Sequence, residues 1–265
     1  MPFVAGIDCG SGFTKALVVA QDAPGSELRI VGKGRARSGI KVDQAAEAAL
    51  EQALAGNARS DLAYIAATGF GRYGLSFRDI AITEITTAAR GAFFLFPEPG
   101  AVLDIGSQTT RAISVTQNGK VHTFKSNDKC AAGSGMFIAR AAKYLEVPLE
   151  QVGGLSMKAG HPQPISSVCA VLAESEIINH VSCGVSVEDI LRGIHDSLAD
   201  RSGALLKRVG LNDHLTFIGG VAYQQGMVEA LKQRLNVKVN VPQDCDYVCA
   251  LGAALLGLRR LAARN

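Results

Sequence analysis

The chain has 265 residues, enough for two lobes with a sizeable core, and 48% of them are hydrophobic while 19% are charged. The formal net charge of +3 predicts no basic surface of the kind that binds nucleic acid. The apolar runs are shorter than a membrane span, and the N-terminus lacks a signal-peptide pattern. We therefore expect a cytoplasmic protein whose 6 cysteines are reduced or bind metal, with neither nucleic acid nor membrane as a partner.

The chain begins with a predicted β-hairpin whose turn is rich in glycine. Residues 3–8 and 13–20 predict its two strands, and residues 8–15 read DCGSGFTK. Glycine permits positive φ, so several backbone N–H groups can converge there on a phosphate. Asp8, at the end of the first strand, can hold a hydrated Mg²⁺. Taken alone, the stretch is equally typical of an ordinary glycine-rich hairpin.

The elements that follow complete a first lobe. Residues 27–37 predict a strand, residues 42–54 an amphipathic helix, residues 63–69 a buried strand, and residues 83–94 another helix. The segment 96–100 (FPEPG) breaks the chain and marks the expected boundary between the lobes.

A second hairpin repeats the first. Residues 101–106 and 110–116 predict its strands, and its turn at residues 104–110 (DIGSQTT) echoes the Asp-x-Gly-Ser of the first turn. Two lobes that each open in this way indicate a duplicated unit that clamps one nucleotide. We expect an N-terminal lobe over residues 1–96 and a C-terminal lobe over residues 100–265, with the last helix packed back on the N-terminal lobe.

The C-terminal half predicts mainly helices. Helical spacing covers residues 136–144, 150–160, 170–181, 190–209, 225–235 and a last segment from residue 250. Ser186 is expected to cap the fourth of these helices. Strands are expected at residues 215–218 and 237–241. After the first of them, Gly219 and Gly220 form a turn on whose backbone a flat adenine or ribose can lie.

Two cysteines precede predicted helices. Residues 127–135 (NDKCAAGSG) place Cys130 before one helix, and residues 166–169 (SSVC) place Cys169 before another. A helix N-terminus stabilises negative charge and favours thiolate, so this pair can hold half of an iron–sulfur cluster. The alternative for any lone cysteine is a small buried hydrophobe, the interpretation we adopt for Cys183, Cys245 and Cys249. Cys9 is interpreted as a spacer in the first turn.

Four segments resemble the nucleotide-binding motifs of one superfamily, which contains acetate and sugar kinases, heat-shock-70 ATPases and actin. They are residues 8–15, 104–109, 217–222 and 250–254, in that order. The resemblance implies an α/β, two-lobed ATPase fold with duplicated β-hairpin phosphate turns.

Within that superfamily the chain resembles the BadF/BadG/BcrA/BcrD ATPase family. The residues that carry the resemblance are 127–135, Cys169 with 173–176, and 193–195. The family covers activators of 2-hydroxyacyl-CoA dehydratases and ATP-binding subunits of benzoyl-CoA reductase.

The second turn departs from the pattern of the dehydratase activators. Those proteins have DIGGQD where residues 104–109 read DIGSQT, so the second glycine and the last acid are missing. Ser107 or Thr109 can still hydrogen-bond a phosphate. Together with residues 111–113 and 152–156, this turn looks more like the D- or Q-type ATPase subunit of benzoyl-CoA reductase.

The resemblance implies roles for both turns. Asp8 and Asp104 would organise Mg²⁺ and the attacking water, and Gln108 would orient that water. The phosphates and the adenosine of ATP would be bound by Gly10, Ser11, Gly12, Thr14, Lys15, Gly106, Ser107, Gly219 and Gly220.

The cluster predicts an oligomer. A [4Fe–4S] cluster takes four thiolates and this chain offers Cys130 and Cys169, so a homologous ATPase subunit, in a homodimer or heterodimer, would supply the other pair. Glu174 and Glu176 either cap the second cysteine helix or couple the cluster to the nucleotide.

The expected function is that of an ATP-hydrolysing [4Fe–4S] subunit of benzoyl-CoA reductase. It would pass low-potential electrons from a ferredoxin or flavodoxin to the subunits that reduce the acyl-CoA. The first alternative is a homodimeric activator of a 2-hydroxyacyl-CoA dehydratase, which would act on dehydratase catalytic subunits. The others are a small-molecule kinase of the same fold and a nucleotide sensor without turnover.

Overall fold

The computed structural model describes residues 3–22, 26–98, 100–127, 134–166 and 169–264. The strands in these ranges are β1 Phe3–Cys9, β2 Phe13–Ala20, β3 Arg29–Arg37, β4 Leu62–Thr68, β5 Ile80–Ala81, β6 Gly100–Ile105, β7 Thr110–Val115, β8 Val121–Asn127, β9 His214–Ile218 and β10 Lys238–Asn240. The α-helices are α1 Val42–Leu54, α2 Glu84–Leu95, α3 Gly135–Tyr144, α4 Val152–Ser156, α5 Ala170–Ser182, α6 Val187–Val209, α7 Gln225–Leu235 and α8 Val248–Ala262. None of these helices combines the length and the apolar character needed to cross a membrane.

The chain divides into two compact units. The first contains Met1–Pro97, Gln117–Val121 and Asp246–Asn265, and the second contains Glu98–Thr116 and His122–Cys245. The predicted lobes were continuous stretches, whereas α8 belongs to the unit built from the N-terminal strands.

The first unit is built on a five-stranded sheet in the order β3-β2-β1-β4-β5. Strand β1 pairs antiparallel with β2 and parallel with β4, which places Asp8 opposite both Lys15 and Thr68. The central strand is buried because α1 covers one part of the sheet and α8 another, with core side chains from both helices.

The second unit repeats this arrangement. Its sheet has the order β10-β9-β6-β7-β8, and β6 pairs antiparallel with β7 and parallel with β9. Asp104 therefore lies opposite Arg111 and Ile218, as Asp8 lies opposite Lys15 and Thr68. The predicted fold class and its duplicated hairpins are confirmed.

Helix α6 forms the centre of the second unit, and its ends follow the sequence. The hydroxyl of Ser186 accepts a hydrogen bond from the Asp189 backbone N–H at 3.2 Å, which caps the helix as predicted. Gly210 ends it with φ +78°, a left-handed conformation that glycine adopts without strain. Between these ends, buried side chains such as Ile190, Ile194 and Leu198 face the core.

Two predictions of local structure were wrong. The helix expected over residues 150–160 is a 3₁₀ turn at Leu149–Gln151 followed by the short α4, because adjacent Gly153 and Gly154 favour the helical conformation poorly. Strand β8 was not predicted, since it lies at the edge of its sheet and its side chains are only partly buried.

Candidate functional site

The first turn holds a buried carboxylate against a buried ammonium. Asp8 is 7% exposed, and the Nζ of Lys15 lies 2.8 Å from its Oδ2. Burial by itself lowers the pKa of Lys15, but the charge of Asp8 and the hydrogen bond to it outweigh burial and raise that pKa above its ordinary value. Both groups therefore remain charged at neutral pH.

A glycine from the neighbouring strand closes the other side of Asp8. Gly69 follows β4 with φ +90°, and a Cβ there would lie 2.4 Å from the Oδ1 of Asp8. Only glycine combines this conformation with this close approach. The side chain of Arg72 donates to the Gly69 carbonyl at 2.9 Å and to Glu84 at 2.8 Å, which holds the loop in place. The sequence analysis assigned no role to these three residues, although a glycine, an arginine and an acid lay near the end of a buried strand.

The remaining residues of the first turn fall into two groups. Thr14 is buried, and its hydroxyl lies 2.9 Å from that of Ser38, which donates to the Gly10 carbonyl at 2.6 Å. This network fixes the shape of the turn. Ser11 is exposed and Gly12 partly exposed, so the tip of the turn is open to a ligand.

The second turn has the same construction. Asp104 is 5% exposed, and its Oδ2 accepts a hydrogen bond from the Nη1 of Arg111 at 3.2 Å. Gly219 follows β9 with φ +89°, and a Cβ there would lie 2.7 Å from the Oδ1 of Asp104. The backbone N–H of Gly106 donates to the Thr109 carbonyl at 2.9 Å and closes the turn. The two units therefore present equivalent carboxylates, each flanked by a cation and a glycine.

The tip of the second turn contacts helix α3. The carbonyl of Gly106 accepts a hydrogen bond from the Gly135 N–H at 2.9 Å, and the carbonyl of Ser107 accepts one from the Met136 N–H at 2.8 Å. The first N–H groups of a helix have no partner within the helix, and here the turn supplies them. Gln108 is exposed at the tip.

The predicted adenosine segment lies beside this contact. Gly220 is exposed and begins a 3₁₀ helix, Gly220–Tyr223, with open space where its side chain would be. A Cβ on Gly135 would lie 3.1 Å from the Cγ2 of Val221 and 3.2 Å from the Gly106 carbonyl oxygen. The start of α3 thus packs against both the second turn and the Gly-Gly segment.

Cys169 stands at the start of α5, and Cys130 lies outside the described residues. Cys169 is the N-cap of α5, partly exposed, and its carbonyl accepts a hydrogen bond from the Ala173 N–H at 3.0 Å. No side chain caps this helix end. The thiol therefore lies where a helix stabilises negative charge, which suits a cluster ligand.

Acidic side chains of α5 brace the surroundings of Cys169. Glu174 accepts hydrogen bonds from Arg140 and Tyr144 of α3, both at 3.3 Å. Glu176 accepts one from the backbone N–H of Ser166 at 2.5 Å. These contacts favour the structural interpretation of both acids and tie α5 to α3.

The other cysteines are distributed differently from the prediction. Cys245 and Cys249 are buried, as expected, and so is Cys9. Burial, with a smaller contribution from the charge of Asp8, raises the pKa of the Cys9 thiol to about 12. Cys183 is exposed at the end of α5, so its assignment as a buried hydrophobe was wrong. Within the described ranges no three His, Cys, Asp or Glu side chains converge on a metal position.

The sequence profile of the BadF/BadG/BcrA/BcrD ATPase family matches residues 5–257. The chain belongs to this family. It is 40% identical to the D-type subunit of benzoyl-CoA reductase from Thauera aromatica over 270 residues, which span 98% of this chain and 94% of that protein. The family assignment made from the two cysteine segments is confirmed.

Solved structures agree with this assignment. The activator of the 2-hydroxyisocaproyl-CoA dehydratase from Clostridium difficile, with bound ADPNP, superposes with a TM-score of 0.92 at 35% identity, covering 99% of this chain and 96% of that one. Component A of the (R)-2-hydroxyglutaryl-CoA dehydratase from Acidaminococcus fermentans gives a TM-score of 0.91 at 36% identity, covering 99% and 100%. More distant structures at 12–18% identity, with TM-scores of 0.60–0.62, share the fold alone.

Proposed function

We propose that this chain hydrolyses ATP and uses that hydrolysis to activate electron transfer to an acyl-CoA enzyme. The observation that carries the proposal is the duplication of a held carboxylate, Asp8 in one unit and Asp104 in the other. Such groups order Mg²⁺ and water, and phosphoryl transfer depends mainly on this kind of positioning and charge stabilisation. Membership of an ATPase family supports the same chemistry.

The turn residues take the roles that the family resemblance implies. The open tip formed by Gly10, Ser11 and Gly12 binds phosphate through backbone N–H groups. Thr14 and Lys15 support that tip from below, and the Lys15 charge adds to the phosphate-binding field. The remaining roles fall to the second unit: Gly106 and Ser107 approach phosphate, Gln108 orients water, and Gly219 and Gly220 flank adenosine.

We propose that Cys130 and Cys169 hold half of a [4Fe–4S] cluster and that a homologous protomer holds the other half. When bound, such a cluster stores and releases one electron at low potential. The α5 N-terminus stabilises negative charge at Cys169. The exposed side of α5 carries large apolar side chains, a feature that suits contact with another protomer: Val171, Leu172, Ile178 and Val181.

The contact between the second turn and α3 supports coupling between the two sites. Gly106 and Ser107 bond to Gly135 and Met136, and residues 128–133, which contain Cys130, immediately precede that helix. A shift of the turn on binding or losing the γ-phosphate would move the start of α3, because a rigid helix converts small changes into larger ones.

For the partner, we propose the acyl-CoA-reducing subunits of benzoyl-CoA reductase, with a ferredoxin or flavodoxin as donor in the cytoplasm. The 40% identity to the D-type reductase protein and the altered turn at Ser107 and Thr109 support this choice. The second candidate is a homodimeric activator of a 2-hydroxyacyl-CoA dehydratase. It is favoured by the TM-score of 0.92 to such an activator over nearly the whole chain.

The test is steady-state hydrolysis of Mg·ATP by the protein purified without oxygen, compared with the Asp8→Asn and Asp104→Asn variants. We expect turnover in the wild type and a loss of about 100-fold or more in each variant, since each removes a charge that acts in the transition state. ATP binding without turnover would overturn the proposal in favour of a sensor. ATP-dependent phosphorylation of a sugar or carboxylic acid would overturn it in favour of a kinase.

Proteins that purify with the chain separate the two partners. Co-elution with acyl-CoA-reducing subunits and a second ATPase protein supports the reductase, whereas a lone homodimer that activates a dehydratase supports the second candidate.

A further inference from the structure

Arg111 occupies in the second unit the position that Lys15 occupies in the first. Each lies 7 residues after an aspartate and opposite it on the antiparallel strand. Each places a cationic group on the Oδ2 of that aspartate, at 2.8 Å for Lys15 and 3.2 Å for Arg111. The duplication therefore includes the cation as well as the carboxylate, although the two turns differ in sequence.

The carboxylate of Asp104 is held from two sides. Its side chain is 8% exposed and that of Arg111 14%, so solvent screens their attraction only weakly. On the opposite side, the Oδ1 faces the backbone of Gly219, where no side chain can stand. A buried carboxylate that loses its cation turns towards water or takes up a proton. The cation thus sets both the charge and the direction of Asp104.

We infer that Arg111 is a positioning residue for ATP hydrolysis, which acts through Asp104 and does not touch the nucleotide. The inference rests on the proposed function, in which Asp104 orders Mg²⁺ and the attacking water. A guanidinium that donates to one carboxylate oxygen leaves lone pairs on that carboxylate for hydrated Mg²⁺. Because Arg111 stays charged at any working pH, Asp104 acts as an acceptor.

Replacing the charge tests this role. In Arg111→Met we expect kcat to fall by about 10- to 100-fold, as for outer partners of metal-binding carboxylates, and the Mg²⁺ concentration for half-maximal rate to rise. The KM for ATP should change by less than about threefold, since the phosphate-binding backbone is untouched. Arg111→Lys, which restores a cation at this position as in the first unit, should recover most of kcat.

The matched control is Arg234→Met. Arg234 forms an ion pair with Asp200 at 3.5 Å in the same unit, but both side chains are about half exposed. Loss of an exposed pair contributes little, so kcat should stay within about twofold of the wild type. The fraction of folded protein, from nucleotide-titrated sites, normalises every rate.

Each outcome decides the inference. Unchanged kcat and Mg²⁺ dependence in Arg111→Met, with only lower stability, would show a merely structural role and overturn it. A rise in KM without a fall in kcat would place Arg111 on the nucleotide and overturn it too. If Arg111→Met does not fold, Arg111→Gln keeps a donor without the charge, and the same two readouts apply. A wild type without hydrolysis would refute the proposed function instead.

Discussion

The backbone carbonyl of Gly106 accepts a hydrogen bond from the backbone N–H of Gly135 at 2.9 Å. One residue belongs to the second phosphate turn and the other begins helix α3, which follows the Cys130 segment. The neighbouring bond from Met136 to Ser107 repeats the contact at 2.8 Å. The turn is therefore the cap of the helix that leads from the first proposed cluster ligand.

Gly135→Ala should weaken this connection. The added Cβ would lie 3.1 Å from Val221 and 3.2 Å from the Gly106 carbonyl oxygen, so the turn or the helix must shift by a few tenths of an ångström. In the wild type without cluster, we expect the alkylation rate of Cys130 to differ between ADP and a non-hydrolysable ATP analogue. The variant should bind both nucleotides but lose that difference.

Alkylation at each cysteine is resolved by peptide mass spectrometry. Cys183 is exposed at the far end of α5 and serves as the internal control, because its rate should not depend on the nucleotide in either protein. A nucleotide dependence of Cys130 that survives in Gly135→Ala would contradict the connection.

Lys15→Met should destabilise the protein because it leaves Asp8 buried without its cation. The two side chains are 14% and 10% exposed, and breaking such a pair from one side costs about 3–5 kcal/mol. The double variant Asp8→Asn with Lys15→Met removes both charges and should recover part of that loss. Urea unfolding of the first unit's signal measures both, and equal stability of the single and double variants would be inconsistent with the pair.

The fold and the ATPase turns could be predicted from local sequence, whereas the clamps around the carboxylates could not. Helix α1 and strand β2 were predicted to the residue because their apolar spacing is regular. The echo of DCGS in DIGS predicted the duplication. By contrast, Gly69 and Arg111 act on aspartates through strand pairing, which depends on register rather than on any local pattern.

Helix α6 offers a test of stability that leaves the turns untouched. Ser186→Ala removes the hydroxyl that accepts from the Asp189 N–H, and loss of such a cap costs about 1 kcal/mol. The midpoint of chemical unfolding should fall accordingly, with ATP turnover per folded chain unchanged. Lower turnover per folded chain would mean that α6 affects the nucleotide turns.

Stability should fall in weak acid because of His195. Burial, with a smaller contribution from the charge of Arg192, lowers the pKa of this histidine from 6.5 to about 4. The folded state therefore keeps it neutral while the unfolded state takes up a proton, so its contribution to stability is present above pH 6.5 and is lost as the pH falls towards 4.

The comparison for this prediction is His195→Gln, which does not titrate. Its unfolding free energy should fall less between pH 7 and pH 5 than that of the wild type, even if it is lower at pH 7 because the contact with Ser156, at 2.9 Å, is altered. Equal losses in both proteins would assign the acid sensitivity to other groups.

The central claim is that two chains share one [4Fe–4S] cluster through Cys130 and Cys169. Its most direct test is the iron content per chain of protein purified without oxygen, with the mass of the particle measured on the same sample. The account predicts about two irons per chain in a two-chain particle, and loss of that iron in Cys169→Ser. No iron, or four irons in a single chain, would contradict it.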